Sequence, residues 1–149
     1  MVKSRTKEDV FERCDSEGVF IPRESVDVEK IKSTVRIAIE DLENGNDAKK
    51  KKRYNCAYKM YYDALREIIE AFLSFDKIKS TNHIGLFAYL CVKYPCFELD
   101  WDFFEKIRTK RNGINYYSIP VTFNDFKQIE LQTQLYFNLF KKEIEDRVE

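Results

Sequence analysis

The chain contains little glycine, proline and histidine. Its 149 residues include four Gly, three Pro and one His, whereas 35% of the residues are charged. Because few residues are suited to tight turns, this composition favours long helices over a β fold with many turns. With a single histidine, and no Cys-x-x-Cys pair among the four cysteines, the chain has no zinc-finger spacing. We therefore expect neither a metal nor a cofactor.

The chain also lacks a long apolar run and an excess of charge of one sign. No stretch of about 20 apolar residues exists, which excludes a membrane-spanning helix. The 26 basic residues are balanced by 26 acidic ones, which argues against binding nucleic acid through net charge alone but leaves room for a local basic groove. Residues 1–7 are not followed by the apolar run of a signal peptide.

These absences predict a cytoplasmic protein. Its four thiols are expected to be reduced and mostly buried, with Cys56 as a small core residue among tyrosines. A disulfide between two of the cysteines stays an alternative in an oxidising or hot environment.

The chain is rich in apolar residues at helical spacing, with 12 Phe, nine Tyr and one Trp to fill a core or an interface. The spacing predicts an all-α, up-and-down helical bundle of about five core helices plus a short N-terminal helix. We expect a single domain overall, with residues 1–26 as the N-terminal helix and a linker and residues 27–149 as the bundle. The predicted boundaries are 7–17, Asp27 to Asn44-Gly45-Asn46, Asp47 to Leu73, a cap at 80–82 with a stop at Pro95, Asp100 to Gly113, and a start at Asn124 or Asp125.

One run of positive charge, Lys49–Arg53, lies at the start of the predicted longest helix. Cations near the start of a helix oppose the helix dipole at a cost of a few tenths of a kcal/mol each. The usual reason for such a run is a solvated helix start with no ligand. The dipole cost adds support for the alternative, a patch that attracts phosphates at low salt.

The segment Lys110–Tyr117 gives the clearest indication of chemistry. Arg111 and Asn112 end an amphipathic stretch, and Tyr116 and Tyr117 follow about one and a half helical turns later. Guanidinium stabilises charge on a phosphate through bidentate hydrogen bonds, and tyrosine can position a phosphate or stack on a base. The alternative is structural: an arginine that bonds helix-end carbonyls or a carboxylate across a dimer, and tyrosines that pack at the end of the bundle.

Several segments, taken in order, resemble the HEPN family (higher eukaryote and prokaryote nucleotide-binding domains). Tyr54–Arg66 is similar to the aromatic start of the family's long second helix, and Lys79–His83 to the stretch that opens its third. Lys110–Tyr117 resembles the signature that precedes its last helix, while Asp27–Leu42 and Thr122–Glu145 fit its first and last helices. The resemblance implies a homodimer. In active family members an arginine and a histidine of each subunit cleave RNA without metal, and some members are toxins paired with a minimal nucleotidyltransferase antitoxin.

The resemblance also implies a site. Lys110, Arg111, Asn112, Tyr116 and Tyr117 are the expected nucleotide- or RNA-binding residues, and the candidate catalytic residues are Arg111, Asn112 and Tyr116. The family's histidine is absent, because a tyrosine stands where it would be. Phenol titrates near ~10 and imidazole near ~6.5, so tyrosine is a poor general base at neutral pH. We expect ordinary ribonuclease activity to be weak or absent.

The only histidine, His83, lies far upstream and matches a helix-start position of the family rather than its catalytic position. A helix dipole disfavours the protonated form of a histidine at the start of a helix. We interpret His83 as structural.

The function predicted from these observations is a HEPN-like homodimer that binds a nucleotide or RNA. It is expected to act alone or as the partner of a minimal nucleotidyltransferase in a two-component, toxin-antitoxin-like system of a prokaryotic kind. Two alternatives stay open. One is an active metal-independent ribonuclease toxin with an atypical Arg/Asn/Tyr site, and the other is an assembly protein that binds no ligand. Whether the protein is an enzyme is left open, with a non-enzyme favoured.

Overall fold

The computed structural model describes residues 5–148. These residues form six α-helices and one small antiparallel sheet of two strands, which confirms the predicted all-α helical bundle. No helix within 5–148 has the length and apolar character needed to cross a membrane. The elements are α1 Lys7–Ser16, β1 Phe20–Pro22, α2 Val28–Lys50, α3 Tyr54–Leu73, β2 Ile78–Ser80, α4 His83–Lys93, α5 Trp101–Tyr117 and α6 Phe123–Val148.

Helix α3 is the centre of the bundle. It packs most extensively against α2 and α6, and it also contacts α4 and α5. Its buried residues lie on several sides of the helix, which is typical of a helix that neighbours cover on more than one face. Large buried rings fill the space around it: Tyr58, Tyr61, Tyr62, Phe72, Phe87, Phe104, Phe126, Phe137 and Phe140.

Helix starts follow local capping chemistry. The side chains of Asp27, Asn82 and Asp100 each accept a hydrogen bond from a backbone N–H in the first turn of α2, α4 and α5, as predicted. The start of α6 is a reciprocal capping box, in which Thr122 Oγ1 accepts from the Asp125 N–H and Asp125 Oδ2 accepts from the Thr122 N–H. The predicted opening residue, Asn124 or Asp125, was therefore two or three positions late.

The predicted boundary between α2 and α3 was wrong. Helix α2 continues through Gly45 and Asp47 to Lys50, and α3 begins at Tyr54. Gly45 is buried where α2 meets α3, and a Cβ atom on it would lie 2.6 Å from Cδ1 of the Tyr61 ring. The glycine allows the two helices to approach closely. Glycine is also the residue that commonly ends a helix, so the sequence alone does not distinguish the two uses.

Two other predictions on secondary structure were wrong. Helix α5 does not stop at Gly113 but continues to Tyr117 and ends at Ser118, which has a left-handed φ of 54°. The linker predicted around residues 19–22 contains β1, which pairs with β2 so that Phe20 lies opposite Ser80. Strands of three residues are too short to show a two-residue period.

The burial of the thiols differs from the prediction. All four cysteines are free; Cys14 and Cys91 are buried, whereas Cys56 and Cys96 are exposed. Cys56 lies in the first turn of α3, one position before the buried face that begins at Ala57. The assignment of Cys56 to the core was therefore wrong.

Candidate functional site

Three arginine side chains from two helices lie around the single histidine of the chain. Arg66 belongs to α3, while Arg108 and Arg111 lie one turn apart on α5 and so share a face of that helix. Their side chains are 20%, 20% and 21% exposed, so each guanidinium is mostly covered. We call Arg66, Arg108 and Arg111 the arginine cluster.

Tyr62 connects the histidine to this cluster. His83 is the first residue of α4, directly after the cap Asn82, and its Nδ1 lies 3.0 Å from the hydroxyl oxygen of Tyr62. The guanidinium carbon of Arg111 lies 5.3 Å from the centroid of the Tyr62 ring, within the range of a cation–π contact. The tyrosine ring itself is buried. One buried side chain therefore contacts both the imidazole and a guanidinium.

The surroundings of His83 keep its imidazole neutral. Burial, together with the positive charges of Arg66, Arg111 and Arg108, lowers the pKa of His83 from 6.5 to about 4. The charges that act most strongly on the imidazole are all arginines. An anion placed beside His83 would therefore meet a positive local field.

Carboxylates contact the guanidiniums of the cluster. Arg66 donates a hydrogen bond of 3.0 Å to Glu70, whereas Asp63 Oδ1 lies 3.8 Å from Arg111 and 4.0 Å from Arg66, beyond hydrogen-bond distance. Asp63 is therefore shared between two guanidiniums and held firmly by neither. The flanking acids are Asp63, Glu67 and Glu70 of α3 and Glu105 of α5.

Glu67 carries less negative charge than a free glutamate. Burial, and after it the neighbouring Asp41, raises the pKa of the Glu67 carboxyl to about 8. Glu67 is thus largely protonated at neutral pH, although its Oε1 lies 3.6 Å from Arg66. The local balance of charge is more positive than the residue types alone indicate.

The cluster has hydrogen-bonding capacity that its neighbours do not use. Within residues 5–148, the Nε atoms of all three arginines are buried without a hydrogen-bond partner, as is one carboxylate oxygen each of Asp63, Glu67 and Glu105. Leaving a buried polar group unpaired costs about 1–3 kcal/mol, so native structures pair such groups with water or a ligand, or use them in function. The concentration of such atoms in one place marks the cluster as a candidate site.

The residues of the predicted site do not all lie together. Arg111 faces α3, but Lys110 points to α6, where its Nζ lies 3.2 Å from Asp125 Oδ2. Lys110 lines a separate groove of about 610 Å³ between α5 and α6, with Lys106 and Gln128. Within one chain, Lys110 and Arg111 therefore contact different surfaces.

The tyrosines of the predicted site are exposed. Tyr116 and Tyr117 lie in the last turn of α5 and are 72% and 74% exposed. Asn112 is half-buried. Among the described residues, the charged and aromatic contacts of Arg111 are with Asp63 and Tyr62, not with these tyrosines.

The location predicted for the lysine run was wrong, and so was the argument that followed from it. Lys49 and Lys50 lie in the last turn of α2, where the helix dipole favours positive charge. Lys49 also forms an ion pair with the buried Glu130 of α6. Lys49 therefore stabilises the fold, and helix polarity gives no reason to expect a phosphate patch at Lys49–Arg53.

Sequence reasoning missed most of the cluster. The i, i+3 spacing of Arg108 and Arg111 predicts that they share a face, and Tyr62 and Arg66 are likewise one turn apart on α3. Those spacings could have suggested two polar faces. That Arg111 meets Tyr62, with His83 against the same tyrosine, depends on the packing of α3, α4 and α5, which no local pattern specifies.

Residues 5–148 contain no group of three or more His, Cys, Asp or Glu residues arranged to hold a metal ion. No protein-family model, curated protein or solved structure matches the chain. Assignment of a function therefore depends on the geometry of the chain itself.

Proposed function

We propose that the protein is a homodimeric helical module that binds a nucleotide or RNA through the arginine cluster. The observation that carries this proposal is the convergence of three mostly covered guanidiniums, with unused donors, on a neutral imidazole. Guanidinium matches phosphate oxygens with parallel hydrogen bonds and is less strongly hydrated than ammonium, so it is well suited to a half-buried phosphate site. The resemblance of Lys110–Tyr117 to the HEPN signature, whose arginine corresponds to Arg111, supports the same surface.

The exposed tyrosines extend the proposal from phosphate to base. Tyr116 and Tyr117 present free ring faces at the end of α5, and stacking on an aromatic ring contributes about 1–3 kcal/mol per base. Asn112, next to Arg111 on α5, belongs to the proposed binding surface as a base-edge contact, whereas Lys110, which pairs with Asp125 of α6, does not. A minimal nucleotidyltransferase encoded next to this chain would support the two-component form of the proposal.

Equilibrium binding of a labelled single-stranded oligoribonucleotide tests the proposal. Arg111→Ala should weaken binding by about tenfold or more, because an arginine contact of this kind contributes about 1–3 kcal/mol. The matched control is Arg36→Ala, which removes an exposed arginine on α2 that bonds only Ser33 among the described residues. It should bind like the wild type.

A second variant keeps this test decisive if Arg111→Ala unfolds. Arg111→Lys retains the charge but loses the bidentate geometry, so it should fold and still bind more weakly than the wild type. Circular dichroism and sedimentation check that helicity and oligomeric state are unchanged. Wild-type affinity in a folded Arg111→Ala protein would show that the cluster is structural.

The second candidate function is a metal-independent ribonuclease. It is favoured by one observation, that the single histidine lies beside Tyr62, the ring on which Arg111 packs. The pKa of His83 is low and the pKa of a phenol is high, so neither group is an efficient general base at neutral pH. An enzyme without its general base is typically slower by about 10²–10⁴-fold. We therefore expect no rapid cleavage of unstructured RNA without metal. Cleavage that disappears in both Arg111→Ala and His83→Ala would establish the ribonuclease instead. If the chain neither binds nor cleaves, the assembly-protein alternative is correct.

A further inference from the structure

We infer that the arginine cluster and His83 recognise a terminal phosphate, a phosphomonoester, in preference to the internal phosphodiesters of an RNA chain. This inference rests on the proposed function, because it specifies the ligand chemistry of the same site. The terminal phosphate has two sources, a free nucleotide or the phosphorylated end of an RNA.

The number and arrangement of donors carry the inference. A phosphomonoester has three terminal oxygens and a charge of about −1.5 to −2 at pH 7, whereas a phosphodiester has two free oxygens and a single charge. Arg66 approaches from α3, Arg108 and Arg111 from α5, and the imidazole of His83 from the start of α4. Donors from three helices suit a terminal phosphate, which has three equivalent oxygens, better than an internal phosphodiester of RNA, which has two free oxygens.

His83 can take up a proton when a strongly negative ligand is bound beside it, and the protonated imidazole then adds a positive charge to the site. Three guanidiniums disfavour a fourth positive charge at His83 in the free protein, and a bound dianion removes that penalty. The contact with Tyr62 permits the change, because a hydroxyl can donate to a neutral Nδ1 or accept from a protonated one. The titratable and charged groups at the site are Tyr62, Asp63, Arg66, Glu67 and Glu70 from α3, Glu105, Arg108 and Arg111 from α5, and Asp41 from α2.

Asp63 is the carboxylate that a phosphate displaces most easily, because Glu70 and Glu105 are held by hydrogen bonds of 3.0 Å to Arg66 and 3.1 Å to Arg108. The oxygen of Asp63 is 3.8 Å from Arg111 and 4.0 Å from Arg66, so the arginines hold it without a hydrogen bond. A ligand oxygen that makes true hydrogen bonds to the same guanidiniums can compete with it. Asp63→Asn removes the competing charge and should tighten phosphate binding several-fold, the opposite of the effect of Arg111→Ala.

Calorimetry with five probes tests the inference on the full chain. The probes are inorganic phosphate, a nucleoside, its 5′-monophosphate, and one oligoribonucleotide with either a 5′-phosphate or a 5′-hydroxyl. We expect the phosphorylated member of each pair to bind about tenfold tighter or more, which corresponds to about 1.4 kcal/mol. The ranking of the monophosphate against the phosphorylated oligonucleotide identifies the source.

The single histidine supplies an independent readout by NMR. Saturating monophosphate should raise the pKa of His83 from about 4 by at least one unit. Below that new value, His83→Gln, which cannot take up the proton, should lose most of the preference for a 5′-phosphate that the wild type has at the same pH. The difference between the two proteins should shrink as the pH rises above the new value. An unchanged His83 titration in the presence of a tightly bound monophosphate would exclude His83 from the site and overturn the inference.

The outcomes separate this inference from the proposed function. Equal affinity for the two oligonucleotides, with both weakened by Arg111→Ala, would overturn the terminal-phosphate inference and leave RNA binding intact. Failure of every probe to bind would overturn both. Tight binding of 5′-phosphorylated ligands that Arg111→Ala does not change would place the phosphate elsewhere and also reject the cluster.

Discussion

At the residue scale, His83 and Glu67 both lie beside the arginine cluster and are both held in their neutral forms near neutral pH. The two groups have opposite effects on how stability depends on pH. The pKa of His83 is lower in the folded chain than in the unfolded one, so its contribution to stability is complete above pH ~6.5 and is lost as the pH falls toward 4. The pKa of Glu67 is raised, so its contribution is complete below pH ~4.3 and is lost as the pH rises toward 8. Between these two unfolded-state values the effects oppose each other.

The first prediction concerns Glu67 above that window. From pH ~6.5 to about 8, the titration of His83 no longer changes the free energy of unfolding. That free energy should therefore decline as the pH rises, because folding must keep Glu67 protonated. Glu67→Gln, which is neutral at every pH, should remove much of this decline. Denaturant unfolding at several pH values measures it, with the exposed Glu40→Gln as a control that should keep the wild-type profile. A decline that persists unchanged in Glu67→Gln would show that Glu67 is ionised in the fold.

At the scale of single elements, the contact between α2 and α3 depends on one glycine. Tyr61 lies against Gly45 and is fixed by hydrogen bonds to Asn46 and Gln134, so its ring has little freedom to move. Gly113, in α5, provides the comparison. A Cβ atom on Gly113 would lie 3.8 Å from Ile119, at ordinary contact distance, so an alanine fits there. Gly45 and Gly113 should therefore respond to the same substitution with opposite signs.

The second prediction uses this pair. Gly45→Ala should destabilise the chain by about 1–3 kcal/mol through overpacking. Gly113→Ala should stabilise it by about 0.5–1 kcal/mol, because alanine loses less backbone entropy than glycine in a helix. Chemical denaturation measures both. Equal effects of the two substitutions would mean that α2 and α3 do not approach closely at Gly45.

The third prediction concerns the end of α2. Lys49→Ala leaves Glu130 mostly buried, with only the more distant Lys127 at 3.5 Å, and should destabilise the fold by about 1–3 kcal/mol. Lys51→Ala, at an exposed position two residues later, should change stability by less than about 0.5 kcal/mol. Thermal unfolding separates the two. If instead Lys49→Ala is neutral for folding but weakens RNA binding, the lysine run is a binding patch.

The elements that could be predicted from sequence are those fixed by local chemistry. Asp27, Asn82 and Asp100 cap helices through bonds to residues two or three positions away, and this information lies within the segment itself. Gly45 and Gly113 were misread because a glycine at a helix stop and one at a close helix contact look alike. The pairing of β1 with β2 joins residues about 60 positions apart and leaves no local pattern.

The candidate site shows the same limit. Arg111 was singled out because its motif is contiguous, and it does lie in the cluster. His83 was interpreted as structural because its position at a helix start was all that the sequence showed. Its contact with Tyr62 joins α3 and α4 across 21 positions, and the arginines of α5 lie further still along the chain. Only the packing of three helices brings these groups together.

At the scale of the whole molecule, the described chain leaves large apolar side chains in solvent. Tyr116 and Tyr117 at the end of α5, and Leu131 and Leu135 on α6, are between 58% and 74% exposed. Single exposed apolar residues are ordinary, but neighbouring pairs on two helices provide surface for an interface. An interface of ordinary size buries roughly 1,600 Å² in total.

The fourth prediction is accordingly a homodimer. Sedimentation at micromolar concentration should give about twice the mass of the 17.9 kDa chain, and the mass should be independent of RNA. Arg111→Ala should leave the dimer intact, since the arginine contacts its own chain. A monomer across the micromolar range would contradict the homodimer.

The most direct measurement is a crystal structure of the protein with a nucleoside 5′-monophosphate. The account predicts that the phosphate lies within hydrogen-bond distance of Arg111 and at least one other arginine of the cluster, with His83 beside it and Asp63 turned away. A nucleotide bound instead in the groove between α5 and α6, against Lys106 and Lys110, would contradict the assignment of the site. A crystal with no bound nucleotide at ligand concentrations far above those of a cell would contradict nucleotide binding altogether.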